Sequence, residues 1–137
     1  APARWDVLVL DAVGVLPELY AAGDLVFVGG SLVPRGGHNV LEPAALGKPV
    51  LFGPHMENFR AAAEALTSAG AGFVARDGDE LGHLLRRLLS DRTGHAVACA
   101  MARRVVEANR GALDRTMTLI EEVLDPAPAL GLEAARP

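Results

Sequence analysis

The chain has 137 residues, half of them hydrophobic and 22% charged, with a formal net charge of -4. That length gives one domain as the expectation, with apolar content enough for a core. The acidic balance argues against nucleic acid as a main partner, because a phosphate backbone needs clustered Lys and Arg.

Cys99 is the only cysteine, so no intrachain disulfide forms and a reducing compartment is expected. No apolar run nears the ~20 residues of a membrane helix. Asp6 and Asp11 interrupt the first apolar stretch, so the start does not read as a signal peptide. The chain lacks an initiator Met and opens almost directly on an apolar run, which suggests a piece of something longer.

Val7 to Leu10 is a continuous apolar run, the pattern of a strand buried on both faces. Asp11 to Val15 is then a loop around Gly14, and Leu16 to Ala22 a short helix with Pro17 in its first turn. Leu25 to Val28 reads as a second buried strand. It leads into a glycine-rich loop, Gly29 to Asn39. Val40 to Leu46 is expected to be helical, with Asn39 as N-cap, Glu42 in capping-box position and Gly47 as the stop.

Val50 to Phe52 is a third strand, Gly53 to Asn58 its loop, and Phe59 to Ala69 the next helix. Phe73 to Ala75 is a fourth strand. Glu80 to Leu89 carries Leu81, Leu84, Leu85 and Leu88 at helical spacing. Helices over His95 to Asn109 and Ala112 to Leu124 follow. The Pro- and Ala-rich stretch 125–137 reads as a frayed tail, so residues 1–124 form the domain.

Strands alternating with helices give an α/β fold, a Rossmann-like parallel sheet with flanking helices. Ligands of such sheets sit outside the carboxyl ends of the strands. Three loops are expected on that edge: 11–15, 29–39 and 53–58.

The loop 29–39 is the central candidate. Gly29, Gly30, Gly36 and Gly37 let backbone approach a ligand closely, and the helix behind offers free N–H groups. Together they suit an anion, typically phosphate, and Arg35 adds a charged fork. Glu42 has two readings that the residues leave open. It either completes the helix cap or accepts hydrogen bonds from a ribose diol.

His38 and His55 lie in adjacent loops, but no metal-binding spacing accompanies them, so hydrogen bonding or loop structure is expected and no metal. His83 and His95 read as surface residues on helices. Ser31 is not in a nucleophile elbow, since position 33 is Val. Walker A and G-x-G-x-x-G motifs are both absent. The arginines at 86, 87, 103 and 104 read as a solvated face.

The string from Phe27 to Ala44, FVGGSLVPRGGHNVLEPA, closely resembles the signature of the Kdo (3-deoxy-D-manno-octulosonic acid) transferases. Gly53-Pro54-His55 with Asn58-Phe59 resembles that family's second signature, and Asn109 to Leu113 its C-terminal Asn-x-Gly-Ala segment. The resemblance runs in order from Asp6 to Leu124. It departs in the first loop, where the family's Asp-Thr-x-Gly-Glu-Leu is Asp11-Ala12-Val13-Gly14-Val15-Leu16 here.

The resemblance implies a GT-B glycosyltransferase, of which this chain is part of the C-terminal, donor-nucleotide-binding domain. The implied donor is CMP-Kdo and the acceptor a lipid A precursor. The implied site is Gly14, Ser31, Arg35, Gly36, Gly37, His38, Asn39, Glu42, His55 and Asn58. No cofactor is implied. The catalytic base, the acceptor site and a membrane anchor are expected in an N-terminal domain, at the cytoplasmic face of the inner membrane. By that reading the chain alone is inactive. Another GT-B enzyme, acting on a UDP-sugar or as an epimerase, and a non-catalytic nucleotide-binding module are the alternatives.

Overall fold

The computed structural model describes residues 6–124. They form two bodies, one up to residue 107 and a second from residue 108. The first is built on a three-stranded parallel sheet of β1 (Val26–Val28), β2 (Val50–Phe52) and β3 (Gly72–Val74), in that spatial order. Val26, Phe27 and Val28 stand opposite Val50, Leu51 and Phe52, and these opposite Gly72, Phe73 and Val74. β2 is buried along its whole length because it is the middle strand with both faces covered.

Around the sheet run α1 (Leu16–Ala22), α2 (Leu41–Ala45), a 3₁₀ turn (Glu57–Phe59), α3 (Arg60–Ser68), α4 (Gly78–Ser90) and α5 (Arg92–Asn109). Val40, Ala44, Val50, Phe52, Ala63, Leu66 and Ala102 pack into one buried cluster. Leu66 has no exposed surface, so truncating it to Ala should cost about 2–5 kcal/mol. The second body holds the end of α5, Gly111 in the left-handed region (φ 85°) and α6 (Ala112–Leu124). No helix among the described residues is long and apolar enough to cross a membrane. The tail 125–137 lies outside the described residues.

The strand expected at Val7 to Leu10 is not in the sheet. Those side chains are 42–83% exposed and the segment pairs with no strand among the described residues. A wholly apolar run becomes a strand only where a neighbour covers it, and none is within the described residues.

Two helices start earlier than their apolar spacing implies, because caps set the start and periodicity does not register them. Asp77 accepts from the Glu80 N–H at 2.8 Å, which moves the start of α4 up to Gly78. Asp91 accepts from the Gly94 N–H at 2.9 Å, so α5 begins at Arg92 rather than His95. His95 is half-buried rather than a plain surface residue, its Nε2 lying 3.0 Å from the Asp24 carbonyl oxygen.

Candidate functional site

The carboxyl ends of the strands carry the loops 29–40, 53–56 and 75–77. The first two are clasped together. Ser31 is fully buried. Its hydroxyl donates to the Val28 carbonyl at 2.5 Å and accepts from the Gly53 N–H at 2.8 Å. Its own carbonyl accepts from the His55 N–H at 3.0 Å. One serine thus ties the end of β1 to the exit of β2. The sequence places Ser31 among the ligand groups; in the fold its hydroxyl is used up inside the protein.

The glycines follow from the same closeness. A Cβ on Gly53 would overlap the Ser31 carbonyl, one on Gly36 the Asn58 amide, and one on Gly37 the Met56 sulfur. Gly36 and Gly37 also hold φ of 84° and 69°, which favours glycine independently. Gly37 donates to the Gly30 carbonyl at 3.1 Å, closing the loop on itself, and Asn58 donates its N–H to the Gly36 carbonyl at 3.2 Å. The His38 ring packs over Gly30, 3.5 Å from where a Cβ would sit. Asn58 is therefore placed against Gly36 and His55 against the strand exit. Neither the His38 nor the Asn39 backbone N–H has a backbone partner among the described residues.

α2 differs from its expectation. It has five residues, Leu41–Ala45, and its N-cap is Val40, already near helical backbone angles. The Asn39 Oδ1 accepts from the Leu41 N–H at 3.0 Å, two residues on, an Asx turn rather than a helix cap. The Asn39 Nδ2 donates to the Glu42 Oε1 at 3.0 Å. The expected capping box, with Glu42 reaching the Asn39 backbone N–H, is thus replaced by a side-chain pair. So short a helix has few aligned peptides and a weak dipole. Any anion here is held by loop N–H groups and Arg35 more than by the helix.

Arg35, His38 and Glu42 are exposed and face solvent. Glu42 also reaches α1 electrostatically. Burial, and after it the Glu42 charge, raise the Tyr20 phenol above its ordinary value. In the second loop His55 Nδ1 lies 3.4 Å from Glu57 Oε1. The Glu57 carboxyl is lowered, chiefly by its own backbone N–H and further by His55 and Arg60. Gly14 is not brought into this cluster by the sheet. The segment leading to it is outside the sheet, and Gly14 is exposed with open space where a Cβ would sit.

A groove of about 490 Å³ is lined by residues of the 53–58 loop, β2, β3 and α3. Phe52, Met56 and Val74 line it, with Glu57, Arg60 and Glu64. None of the site residues expected from sequence lines it. Two carboxylates against one guanidinium make it a poor seat for a phosphate, whereas the glycine loop presents N–H groups and Arg35. No group of His, Cys, Asp and Glu among the described residues is arranged to hold a metal ion.

Comparison with known proteins meets these loops directly. The 3-deoxy-D-manno-octulosonic acid transferase of Bordetella pertussis is 38% identical over 119 residues, 87% of this chain and 28% of its own length. The chain is a homologue of the Kdo transferases. The enzyme of the same name from Chlamydophila psittaci is 51% identical over 71 residues, 51% of this chain and 16% of its own length. The chain therefore spans less than a third of these transferases. Among solved structures, the C-terminal CMP-Kdo binding domain of WaaA from Acinetobacter baumannii superposes with a TM-score of 0.68 at 33% identity. That match covers 71% of this chain and 51% of the solved one. The parallel sheet with flanking helices is thus the architecture of a Kdo transferase C-terminal domain. No family model matches the chain.

Proposed function

We propose that this chain is the donor-nucleotide-binding part of a Kdo transferase, and that the clasped loops 29–39 and 53–58 hold CMP-Kdo. The observation carrying this reading is the clasp itself. Buried hydrogen bonds through Ser31 and glycines with no room for a side chain fix a backbone cradle before any ligand arrives. Such preorganisation is what stabilising a departing phosphate requires.

In this reading the loop N–H groups and Arg35 take the phosphate, with His38, Asn39, His55 and Asn58 around it. Gly36 and Gly37 let backbone come close, and Ser31 supports the cradle from behind. Glu42 accepts from the ribose hydroxyls. Gly14 approaches the donor only through the first loop. The reaction is inverting transfer. A hydroxyl of a lipid A precursor attacks the anomeric carbon of Kdo, the bond to the phosphate oxygen breaks, and CMP leaves with the charge. The base and acceptor are supplied by the remainder of the parent enzyme at the cytoplasmic face of the inner membrane. The chain alone is therefore expected to transfer no Kdo, which mass spectrometry of the lipid acceptor checks.

The deciding experiment is calorimetric titration with CMP and with inorganic phosphate. Glu42→Ala should weaken CMP about ten- to a hundredfold and leave phosphate nearly unchanged. The basis is that a hydrogen bond to a charged group contributes about 1.5–3 kcal/mol. A variant that melts lower but binds CMP as tightly as the parent would show that Glu42 serves only the local fold.

A further inference from the structure

We propose that Asn39 is a positioning residue that aims the Glu42 carboxylate at the nucleotide ribose. The inference rests on the reading of Glu42 given above. Its structural half stands on two hydrogen bonds of one side chain. The Asn39 Oδ1 accepts from the Leu41 N–H and its Nδ2 donates to Glu42 Oε1, both at 3.0 Å.

The first bond decides the second. Leu41 offers a donor, so the amide oxygen must face it, and the NH₂ group must face the other way. Asn39 is half-buried, and the backbone that carries its acceptor is one residue from the buried Val40. The amide plane is thereby fixed, and with it the direction in which Nδ2 points. Glu42 is exposed and would otherwise sample several rotamers. With Oε1 held by Asn39, Oε2 keeps its lone pairs for a ligand. Pro43, which follows at once and is buried, stiffens the backbone beneath the carboxylate.

Ordering a free glutamate on binding costs affinity, and a carboxylate ordered in advance avoids most of that cost. Loss of Asn39 should therefore weaken CMP by about two- to tenfold with the fold intact.

Asn39→Asp separates aiming from turn-making. The aspartate oxygen still accepts from the Leu41 N–H, so a purely structural Asn39 predicts no loss of CMP binding beyond the one the added charge causes for inorganic phosphate. The positioning role predicts that CMP is weakened more than inorganic phosphate, because the donor is lost and a second carboxylate faces Glu42. Asn39→Asp combined with Glu42→Gln restores the pair with reversed polarity. The introduced glutamine amide would donate to the introduced aspartate and turn its carbonyl oxygen toward the ribose. The double variant should bind CMP more tightly than either single variant, each checked by thermal melt.

The free chain supplies a readout that needs no nucleotide. In NMR spectra the Asn39 side-chain NH₂ signals should shift and exchange faster with water in Glu42→Ala. Unchanged signals would overturn the pairing. CMP weakened no more than inorganic phosphate in Asn39→Asp, or a double variant no better than the singles, would overturn the aiming. A parent chain that binds no CMP would refute the proposed function, while the NMR comparison still decides the Asn39–Glu42 pair.

Discussion

Replacing Ser31 by Ala removes one oxygen and leaves two buried groups without it. The Val28 carbonyl loses a hydroxyl donor at 2.5 Å, and the Gly53 N–H loses its acceptor at 2.8 Å. Ser31 has no exposed surface and Gly53 is buried, so water does not take the place of the hydroxyl. An unsatisfied buried polar group costs about 1–3 kcal/mol. With two such groups the expected loss is about 2–6 kcal/mol, a large share of the roughly 5–15 kcal/mol that holds a domain together. Urea unfolding should show the midpoint falling with an unchanged slope, because the surface exposed on unfolding is the same. A loss below about 0.5 kcal/mol, the range of an indifferent surface change, would refute the claim that this hydroxyl clasps the two loops.

Gly53→Ala should be worse than Ser31→Ala, since its Cβ would overlap main chain that cannot rotate away; soluble yield and melting temperature check this. Arg35→Ala should weaken CMP and inorganic phosphate alike and flatten the salt dependence of binding, read by titration at two ionic strengths. The Glu80 carboxyl is held below its ordinary 4.5, first by the Arg76 side chain and then by the Arg76 N–H. A lowered carboxylate adds stability above its unfolded value that is lost as pH falls through the folded one. The parent should therefore melt slightly higher than Arg76→Ala at neutral pH, and the gap should close in acid below 4.5.

The parallel sheet was legible because short apolar runs at Val26–Val28 and Val50–Phe52 alternate with helical spacing. The glycine loop was legible because its residue types have few other uses. What was not legible depended on distant partners. Nothing near Ser31 in sequence announces that its acceptor capacity is taken by Gly53, 22 residues away. Val7 to Leu10 has the composition of a central strand, but composition does not supply a neighbour. The capping-box reading of Asn39 and Glu42 had the right pair at the right spacing. It missed that the early helical turn at Val40 moves the backbone donor to Leu41, leaving the two side chains to bond each other.

The clasp also makes the loops 29–39 and 53–58 sterically dependent on each other. Gly36 and Gly37 lack room for a side chain because Asn58 and Met56 stand where a Cβ would go, and Gly53 lacks it because of Ser31. Each loop is thus the steric limit of the other, and a change in one must be answered across the gap. The first loop has no such tie. Val13 is fully exposed, and Gly14 has open space around it. Ala12 and Val15 stand where the resemblance leads one to expect a hydroxyl and a carboxylate, and nothing among the described residues packs where a Gly14 Cβ would sit. The loops 29–39 and 53–58 are thus constrained by each other, and the first loop by neither among the described residues.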